Sequence, residues 1–422
     1  MAKNIMLTVR EPDYMEEFHC IGSLCTDTCC KGWDIVIDEA TCARYEKTKD
    51  KEFKAELAQA IVHREEEQAD GTTEAVACIR MGKGQRCLFL RNDGLCRIQR
   101  QTEEKNLSET CRTYPRVIYS WNESYAERAL CVSCPEAARL ILGRNRPLRF
   151  VTRELPEAEL EGLRITDEGE RLRPECLPLR RFLVRILQDR QLSLADRLVM
   201  ANDFFWRAGG LTGRHAQKQL QMMMEDYAQR LQAAGKRRIL MSACAGRRRL
   251  PQFLPLLQLR LQNPELRADF RGMLERALQH WQLLAGFSET GAARYEEDEE
   301  FYLTFFLPEY SGLLENYLVN AVFKNLFMTE ERPDYYTEWF RLVLQFSMVR
   351  FLLIAQLAEL QQMPERSQVI ELIQKTTRAV GHDRLYLDQA AAQLAAGQSA
   401  ETALREFCRT VFCTEKKSRT CR

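Results

Sequence analysis

The residues best suited to chemistry in this sequence are its cysteines, which are concentrated towards the N-terminus. Eleven of the sixteen lie between Cys20 and Cys134. Thiolates at short spacings can converge on one soft metal centre, either zinc or an iron–sulfur cluster. Spacing alone does not choose between the two, because the ferredoxin run Cys-x2-Cys-x2-Cys is absent. The motifs are Cys20-x4-Cys25-x3-Cys29-Cys30, Cys87-x8-Cys96-x14-Cys111 and Cys131-x2-Cys134.

Disulfides are the competing use of so many cysteines. They require an oxidising compartment, yet the first residues, MAKNIMLTVREPDY, contain no apolar run of signal-peptide length. No apolar stretch approaches 18 residues either, since Arg350 and Gln356 interrupt the most hydrophobic one, around residues 346–357. We therefore expect a cytoplasmic protein without a membrane span, in which clustered cysteines bind metal.

Overall composition favours a helical protein without a nucleic-acid partner. The 422 residues include 61 Lys+Arg and 60 Asp+Glu, which leaves a formal net charge of +1. Gly and Pro are scarce, at 20 and 13 residues. The basic stretch GKRRILMSACAGRRRL has no interleaved aromatic residues, so a solvated helix face is favoured over a nucleic-acid site. The run EEDEEF at 296–301 is expected to form an exposed acidic loop.

The pattern over the first 147 residues predicts an α+β cysteine-cluster domain of short elements. Ile35 and Ile37 alternate with acidic residues as in a strand, and helices are expected around Tyr45 and over 53–67. Two hairpins are expected, at Asn92-Asp93-Gly94 and between VIYSW and YAERAL. In a regular first hairpin, Cys87 would lie roughly 13 Å from the position opposite Cys96. Either that hairpin is irregular or the two thiols serve different centres.

A helix is predicted after Ser133-Cys134-Pro135-Glu136, which has capping-box spacing with Pro in the first turn. This position predicts a lowered thiol pKa for Cys134. A charged, Pro-containing linker is expected over 148–178, followed by an all-helical domain over 179–411 and a disordered tail over 412–422. Helices are predicted at about 179–189, 193–207, 214–234, 251–261, 264–285, 309–328, 334–361, 366–380 and 399–411.

Some cysteines are expected to lack a metal-binding role. A free cysteine is most often a small buried hydrophobic residue. We apply that interpretation to Cys131, which follows a predicted strand, and to five cysteines outside the motifs. Cys413 and Cys421 are assigned to the tail. The five are Cys42, Cys78, Cys176, Cys244 and Cys408.

Four segments resemble the flagellin lysine-N-methylase family. They are FHCIGSLCTDTCCKGW (18–33), CLFLRNDGLCRIQ (87–99), LSETCRTYPRV (107–117) and SCPEAARL (133–140), in matching order and spacing. The helical half is similar to the same family at LLENYLVNAVFKNLF (313–327) and TRAVGHD (377–383). The N-terminal half is also similar to a wider group of zinc- or iron-chelating cysteine-cluster domains, although Leu88 replaces a proline of their middle motif.

The resemblance implies methyl transfer from S-adenosylmethionine to lysine side chains of flagellin, with a [4Fe-4S] cluster in the enzyme. Adjacent Cys29 and Cys30 are not expected to bind the same cluster, because neighbouring side chains diverge. No strand leads through a Gly-x-Gly loop into a helix, so the usual S-adenosylmethionine cradle is missing. An open iron is one alternative site for its amino and carboxylate groups. The ligand candidates are Cys25, Cys29 or Cys30, Cys87, Cys96, Cys111 and Cys134.

A lysine methyl acceptor must also be deprotonated by a base or by desolvation, since its reference pKa is near 10.4. Tyr317 and Glu315 are the candidate catalytic residues, and His382 is a further possible base. Asn316 and Asn320 share one helix stripe with Lys324, which is either a ligand-facing patch or an ordinary solvated face.

Arg112 and Arg116 flank Tyr114-Pro115 after Cys111 and are candidates to bind the S-adenosylmethionine carboxylate or to neutralise thiolates; surface salt bridges are the alternative. The competing function from another class is a non-catalytic protein-interaction module whose fold is held by zinc. The oligomeric state is left open.

Overall fold

The chain forms two units in a computed structural model. The structure describes residues 5–32, 35–67, 73–102, 106–160, 163–165, 176–211, 215–234, 250–325, 335–396 and 400–412. One unit combines Met1–Ala137 with Phe150–Ile165, and the other combines Ala138–Arg149 with Thr166–Arg422. An α+β cysteine-rich part and a helical part are both present, so the predicted fold class is confirmed.

The first unit contains all of the described strands. They are β1 (Met6–Pro12), β2 (Ile35–Val36), β3 (Ile61–Glu67), β4 (Thr73–Ile79), β5 (Met81–Gly82), β6 (Arg86–Cys87), β7 (Arg116–Asn122), β8 (Tyr125–Leu130), β9 (Phe150–Pro156) and β10 (Leu163–Ile165). They form a five-stranded sheet in the order β10-β7-β8-β1-β9, a three-stranded sheet β2-β4-β3 and the pair β5-β6. The predicted VIYSW–YAERAL hairpin is confirmed as β7 and β8.

The helices of the first unit are short. They are α1 (Glu39–Glu46), α2 (Lys51–Ala60), α3 (Arg97–Gln101) and α4 (Glu109–Thr113), and α5 (Pro135–Leu142) begins in this unit. The single helix predicted over 53–67 is wrong in its second half, because α2 ends at Ala60 and β3 follows. Ile61 and Val62 are β-branched and pair with Ile79 and Cys78 of β4. Pairing with β4, the next strand in the chain, thus overrides the local helical pattern.

The stretch predicted to be a linker, 148–178, contains regular structure. β9 pairs with β1 along all seven of its residues, from Met6 opposite Pro156 to Pro12 opposite Phe150. β10 pairs with β7, and the first helix of the second unit already begins at Cys176. Strand partners 46 to 150 residues away leave no local periodic signal, which is why the charged sequence resembled a linker.

The second unit is helical throughout its described part. Its helices are α6 (Cys176–Leu187), α7 (Leu194–Gly209), α8 (Ala216–Ala234), α9 (Leu250–Gln262), α10 (Ala268–His280), α11 (Glu289–Phe301), α12 (Leu307–Lys324), α13 (Tyr335–Leu360), α14 (Arg366–Val380), α15 (Arg384–Ala395) and α16 (Ala400–Phe412), with a π-helical turn at Tyr302–Phe306. The nine predicted helices are confirmed. The acidic loop expected at 296–301 is wrong, because those residues form the end of α11. The predicted tail lies outside the described residues apart from Phe412.

Helix α13 is the most apolar helix of this unit. Trp339 is fully buried there and stacks on Phe205 of α7, with ring centroids 5.2 Å apart. By length and composition, Tyr336–Leu360 is the one described helix that would suffice to cross a membrane, but 89% of its most apolar window is buried. A core helix has the same character, so this is weak evidence for a membrane span.

Candidate functional site

Four thiols from the first three motif segments share a single core in the first unit: one from the first segment, two from the second and one from the third. That core surrounds Phe53 and Phe89 and includes Cys87, which is 4% exposed. Cys30, Cys96 and Cys111 are partly buried and pack against the same core. We refer to Cys30, Cys87, Cys96 and Cys111 as the four-thiol group. Residues separated by up to 81 positions in the sequence therefore share one neighbourhood.

Backbone hydrogen bonds place Cys30 beside Cys87. The Cys87 N–H donates to the Cys30 carbonyl at 2.9 Å, and the Gly32 N–H donates to the Gln85 carbonyl at 2.8 Å. Lys31 and Arg86 form an antiparallel bridge between these bonds. The first cysteine motif therefore runs alongside β6.

The chain between Cys87 and Cys96 forms an irregular loop. Leu90 bridges to Cys96, the Leu90 N–H donates to the Cys87 carbonyl at 3.1 Å, and the Arg97 N–H donates to Phe89 at 2.8 Å. Helix α3 then starts directly after Cys96. Of the two alternatives derived from the sequence, the irregular hairpin is therefore the one that the structure contains, and the 13 Å separation of a regular ladder does not apply.

Capping interactions hold Cys111 in the same neighbourhood. Ser108 caps α4 by accepting the Cys111 N–H at 3.2 Å. The Glu109 N–H donates to Asp38, at 3.0 Å, and Asp38 also caps α1. One carboxylate thus joins the starts of both helices, which are the elements that flank this core.

The thiols of the group influence one another electrostatically. Burial, together with the neighbouring thiols of Cys30 and Cys96, raises the pKa of Cys87 to about 12. Burial and the same neighbours raise the pKa of Cys111 to about 12, and burial and Cys30 raise that of Cys96. A hydrogen bond with Cys30, followed by burial, raises the pKa of Cys29. Each ionised thiol would thus repel the others, and a bound cation would relieve that repulsion.

A second set of thiols comprises Cys20, Cys25 and Cys134. Burial first, and then Cys25 and Cys20, raises the pKa of Cys134 to about 12, so the lowered pKa expected at this helix start is wrong.

The turn of the second motif approaches the first motif: a Cβ built on Gly94 would lie 3.6 Å from Cα of Ser23. Gly94 has a φ of 79°, in the left-handed region that favours glycine.

The segments 107–117 and 133–140 meet through side chains next to their cysteines. The Tyr114 and Ser133 hydroxyl groups are hydrogen-bonded at 2.9 Å, and Ser133 donates to the Cys131 sulfur at 3.0 Å. Cys131 is 3% exposed, and its N–H donates to the Pro115 carbonyl at 2.9 Å. These bonds give Cys131 a packing position, which agrees with its predicted structural role.

The two candidate arginines have different surroundings. Arg116 lies over the Phe18 ring, with 5.0 Å between the guanidinium carbon and the ring centroid. Arg112 is half-buried in the last turn of α4, adjacent in sequence to Cys111. Arg116 is thus engaged by an aromatic ring, whereas Arg112 shares helix α4 with Cys111.

The remaining cysteines behave as packing residues where they are described. Cys78, Cys176 and Cys408 are buried, and burial with nearby carboxylates raises the pKa of Cys42. Cys244, Cys413 and Cys421 lie outside the described residues. None of the thirteen described cysteines forms a disulfide bond. In the described part of the chain, no three His, Cys, Asp or Glu side chains are already close enough to hold a metal ion.

Glu315, a predicted catalytic residue, is 1% exposed and faces two arginines of the second unit. Arg190 makes a bidentate contact with the carboxylate, with Nε 3.0 Å from Oε2 and Nη2 3.1 Å from Oε1. Arg197, 3% exposed, places Nη1 2.7 Å from Oε2. A carboxylate bound by two guanidinium groups is suited to holding helices together rather than to accepting a proton. Sequence reasoning missed both arginines, since they lie 125 and 118 positions away.

Asn316, a predicted cofactor-binding residue, is fully buried and bonded to the backbone. Its Oδ1 accepts the Leu148 N–H at 3.2 Å, and its Nδ2 donates to the carbonyls of Arg146 at 3.1 Å and Ile141 at 3.4 Å. Arg366 also donates to this segment, at the Leu142 and Arg144 carbonyls, both at 2.9 Å. These bonds explain why Ala138–Arg149 belongs to the second unit.

Replacing Asn316 with alanine is expected to lower the free energy of unfolding of the second unit by about 2–3 kcal/mol, because buried backbone groups lose their partners. Chemical denaturation followed by circular dichroism measures this change. Lys324→Ala, half-buried on the same stripe, should cost less than about 0.5 kcal/mol. Equal stability of the Asn316 variant and the wild type would contradict a structural role for this amide.

The rest of the predicted polar stripe is largely enclosed. Tyr317 is 1% exposed and Asn320 is fully buried, and both interact with other residues of the described structure. His382 is exposed, beyond the end of α14. Tyr317 and Asn320 thus share the interior of the second unit with Asn316, whereas His382 does not join them there.

Comparison with known proteins adds an independent observation. Residues 180–403 match the family model of the FliB lysine N-methylase C-terminal domain. The chain is 33% identical over 136 residues to the flagellar biosynthetic protein FliU of Salmonella muenchen, covering 32% of this chain and 78% of that protein. It is equally identical over 136 residues to lysine-N-methylases of Salmonella typhimurium and Salmonella choleraesuis, covering 32% of this chain and 33% of each.

No solved structure matches the chain. The chain spans only about a third of the length of the two lysine-N-methylases. The family match lies within the helical unit and covers half of the chain. The chain therefore belongs to the FliB lysine N-methylase family.

Proposed function

We propose that this protein transfers methyl groups from S-adenosylmethionine to lysine side chains of flagellin in the cytoplasm, with a [4Fe-4S] cluster bound by the first unit. The match of residues 180–403 to the lysine N-methylase family carries the proposal. Flagellin as the substrate is supported by the flagellar name of one relative, and by the motif resemblance at the cysteines. The finer assignments below rest on the geometry of the two units.

The four-thiol group suits an iron–sulfur cluster by its chemistry. Four cysteine thiolates are the usual ligand set of a [4Fe-4S] cluster. Cys30, Cys87, Cys96 and Cys111 share one core, and their mutual repulsion favours a cationic partner. Of the adjacent pair, we assign Cys30 rather than Cys29, because Cys30 packs against the core that contains Cys87.

If one of the four thiols is not a ligand, the next candidates are Cys25, Cys29 and Cys134. If only three of the four thiols bind the cluster, one iron would be left open as a cationic site for the amino and carboxylate groups of S-adenosylmethionine. Arg112, next to Cys111, would neutralise thiolate charge or bind that carboxylate. The single Gly-x-Gly of the sequence, Gly82-Lys83-Gly84, joins β5 to β6 and does not lead into a helix.

The acceptor lysine must lose its proton before it can attack a methyl group. Because two arginines face Glu315, we propose that desolvation of the lysine, rather than Glu315, lowers its pKa. Aromatic side chains of the helical unit could supply the apolar surroundings. Tyr317 stays a proposed catalytic residue of that unit, and Asn320 stays a proposed cofactor-binding residue.

Anaerobically purified protein should methylate flagellin when S-adenosylmethionine is supplied, and mass spectrometry of the flagellin should show methylated lysines. The same protein should be brown and hold about four irons per chain. Flagellin whose lysines are acetylated beforehand is the control and should gain no methyl groups.

Unmodified flagellin after incubation with iron-loaded protein would contradict the proposed reaction. Colourless protein with stoichiometric zinc would reject the cluster and favour the interaction module. Since metal content and methyl transfer are measured separately, the two parts of the proposal can fail independently.

A further inference from the structure

Two aromatic side chains are exposed side by side on the second unit. Phe301, the last residue of α11, is 39% exposed, and Phe305, in the π-helical turn, is 55% exposed. Their ring centroids are 4.8 Å apart. Large aromatic side chains are usually buried, and contiguous exposed ones often mark an interaction site.

The interior of the same turn explains why these two rings point outward. Tyr302 and Phe306 are 1% and 0% exposed and stack at 5.1 Å, and Phe306 continues the stack onto Tyr310 at 4.6 Å. The guanidinium of Arg350 lies 5.6 Å from the Tyr302 ring centroid. With one side of the turn fixed in the core, Phe301 and Phe305 remain on the other. π-helical turns are rare and occur frequently at functional sites.

Acidic residues flank the exposed rings. Glu297 and Glu300 precede Phe301 in the last turn of α11, and Glu309 follows Phe305 by four residues; all three are exposed. Within the described ranges these three carboxylates form no ion pair. We refer to Glu297, Glu300, Phe301, Phe305 and Glu309 as the aromatic–acidic face.

Neighbouring acids in the same run are used differently. Arg350 donates to Glu299 at 2.8 Å, and the indole N–H of Trp281 donates to Asp298 at 2.7 Å. These two carboxylates are therefore part of the internal structure of the unit. The outer carboxylates are the ones available to a partner.

We propose that the aromatic–acidic face docks a lysine-bearing segment of the protein substrate. A lysine offers an ammonium group for the carboxylates and a methylene stem that packs on Phe301 and Phe305. The proposal rests on the proposed function, since it names how that protein substrate is held. The face is small, so we expect weak, transient binding.

Charge complementarity selects this occupant over others. Nucleic acid and anionic lipid would be repelled by three exposed carboxylates. A second copy of the chain in a two-fold dimer would place the same carboxylates opposite one another. A cationic side chain with an apolar stem matches both the rings and the charges.

Fluorescence anisotropy with two labelled helical peptides tests the proposal on the full-length protein. One peptide carries lysine at every fourth position, and the other carries norleucine, which keeps an apolar stem without the ammonium group. The double variant Phe301→Ser/Phe305→Ser should bind the lysine peptide about tenfold more weakly. Glu297→Gln/Glu300→Gln should reduce affinity about threefold and remove most of its salt dependence. The norleucine peptide should bind the wild type as weakly as the lysine peptide binds the glutamine variant.

Phe287→Ser and Glu265→Gln are matched controls, because both residues are exposed elsewhere in the unit, Phe287 by 45%. They should leave affinity unchanged. Equal affinity of the wild type and the double serine variant would overturn the docking proposal. Flagellin methylation with an unchanged KM in that variant would do the same while leaving the proposed function intact. Peptide binding that depends on this face, in a protein that never methylates flagellin, would support docking and reject the proposed function.

Discussion

Replacing Cys30 with serine is expected to reduce the iron content of anaerobically purified protein from about four irons per chain to nearly none. After burial, Cys30 is the thiol that raises the pKa of Cys87, Cys96 and Cys111 alike, and it packs against the core that they share. A serine hydroxyl is a poor ligand for soft iron. Iron and sulfide analysis together with absorption near 400 nm measure the loss.

Cys42→Ser is the matched control for this experiment. Cys42 packs against the same core, but carboxylates rather than other thiols surround it. Its replacement should leave iron content unchanged. Cys29→Ser should also retain the cluster if Cys30 is the ligand of the adjacent pair. Full iron content in the Cys30 variant with loss in the Cys29 variant would reverse that assignment.

Replacing Glu315 with glutamine is expected to lower the free energy of unfolding by about 3 kcal/mol, because Arg197 is left buried without its counter-charge. The melting temperature of the helical unit should fall by roughly 6–12 °C. The isosteric amide retains the size of the side chain, so the loss reports charge rather than volume. Thermal unfolding followed by circular dichroism gives the measurement.

The comparison for Glu315 is Glu371→Gln. Glu371 forms an i,i+4 ion pair with Lys375 at 2.6 Å, but it is 57% exposed. Such surface pairs contribute at most about 1 kcal/mol, so a small change is expected. If Glu315→Gln melts like the wild type yet loses methyl transfer, the carboxylate acts in catalysis, and our interpretation of the arginine pair is wrong.

The helical unit was predictable because its signals are local. Apolar residues recur at helical spacing on one face of each segment, and this pattern identified nine helices whose observed bounds differ by a few residues. The capping sequence at Ser133 likewise identified the start of α5. Where structure depends on pairing with another strand, the prediction failed: β3 formed from a helical pattern, and β9 formed within the expected linker.

The sequence alone determined that cysteines dominate the first unit, that they suit a soft metal, and that the motifs resemble a lysine methylase family. Only the tertiary structure decided which thiols are neighbours. It placed Cys30 with Cys87, Cys96 and Cys111, surrounded Glu315 with arginines, and exposed Phe301 beside Phe305. The physical reason is that residue type and spacing define what a side chain can do, whereas packing between distant segments defines which partners it meets.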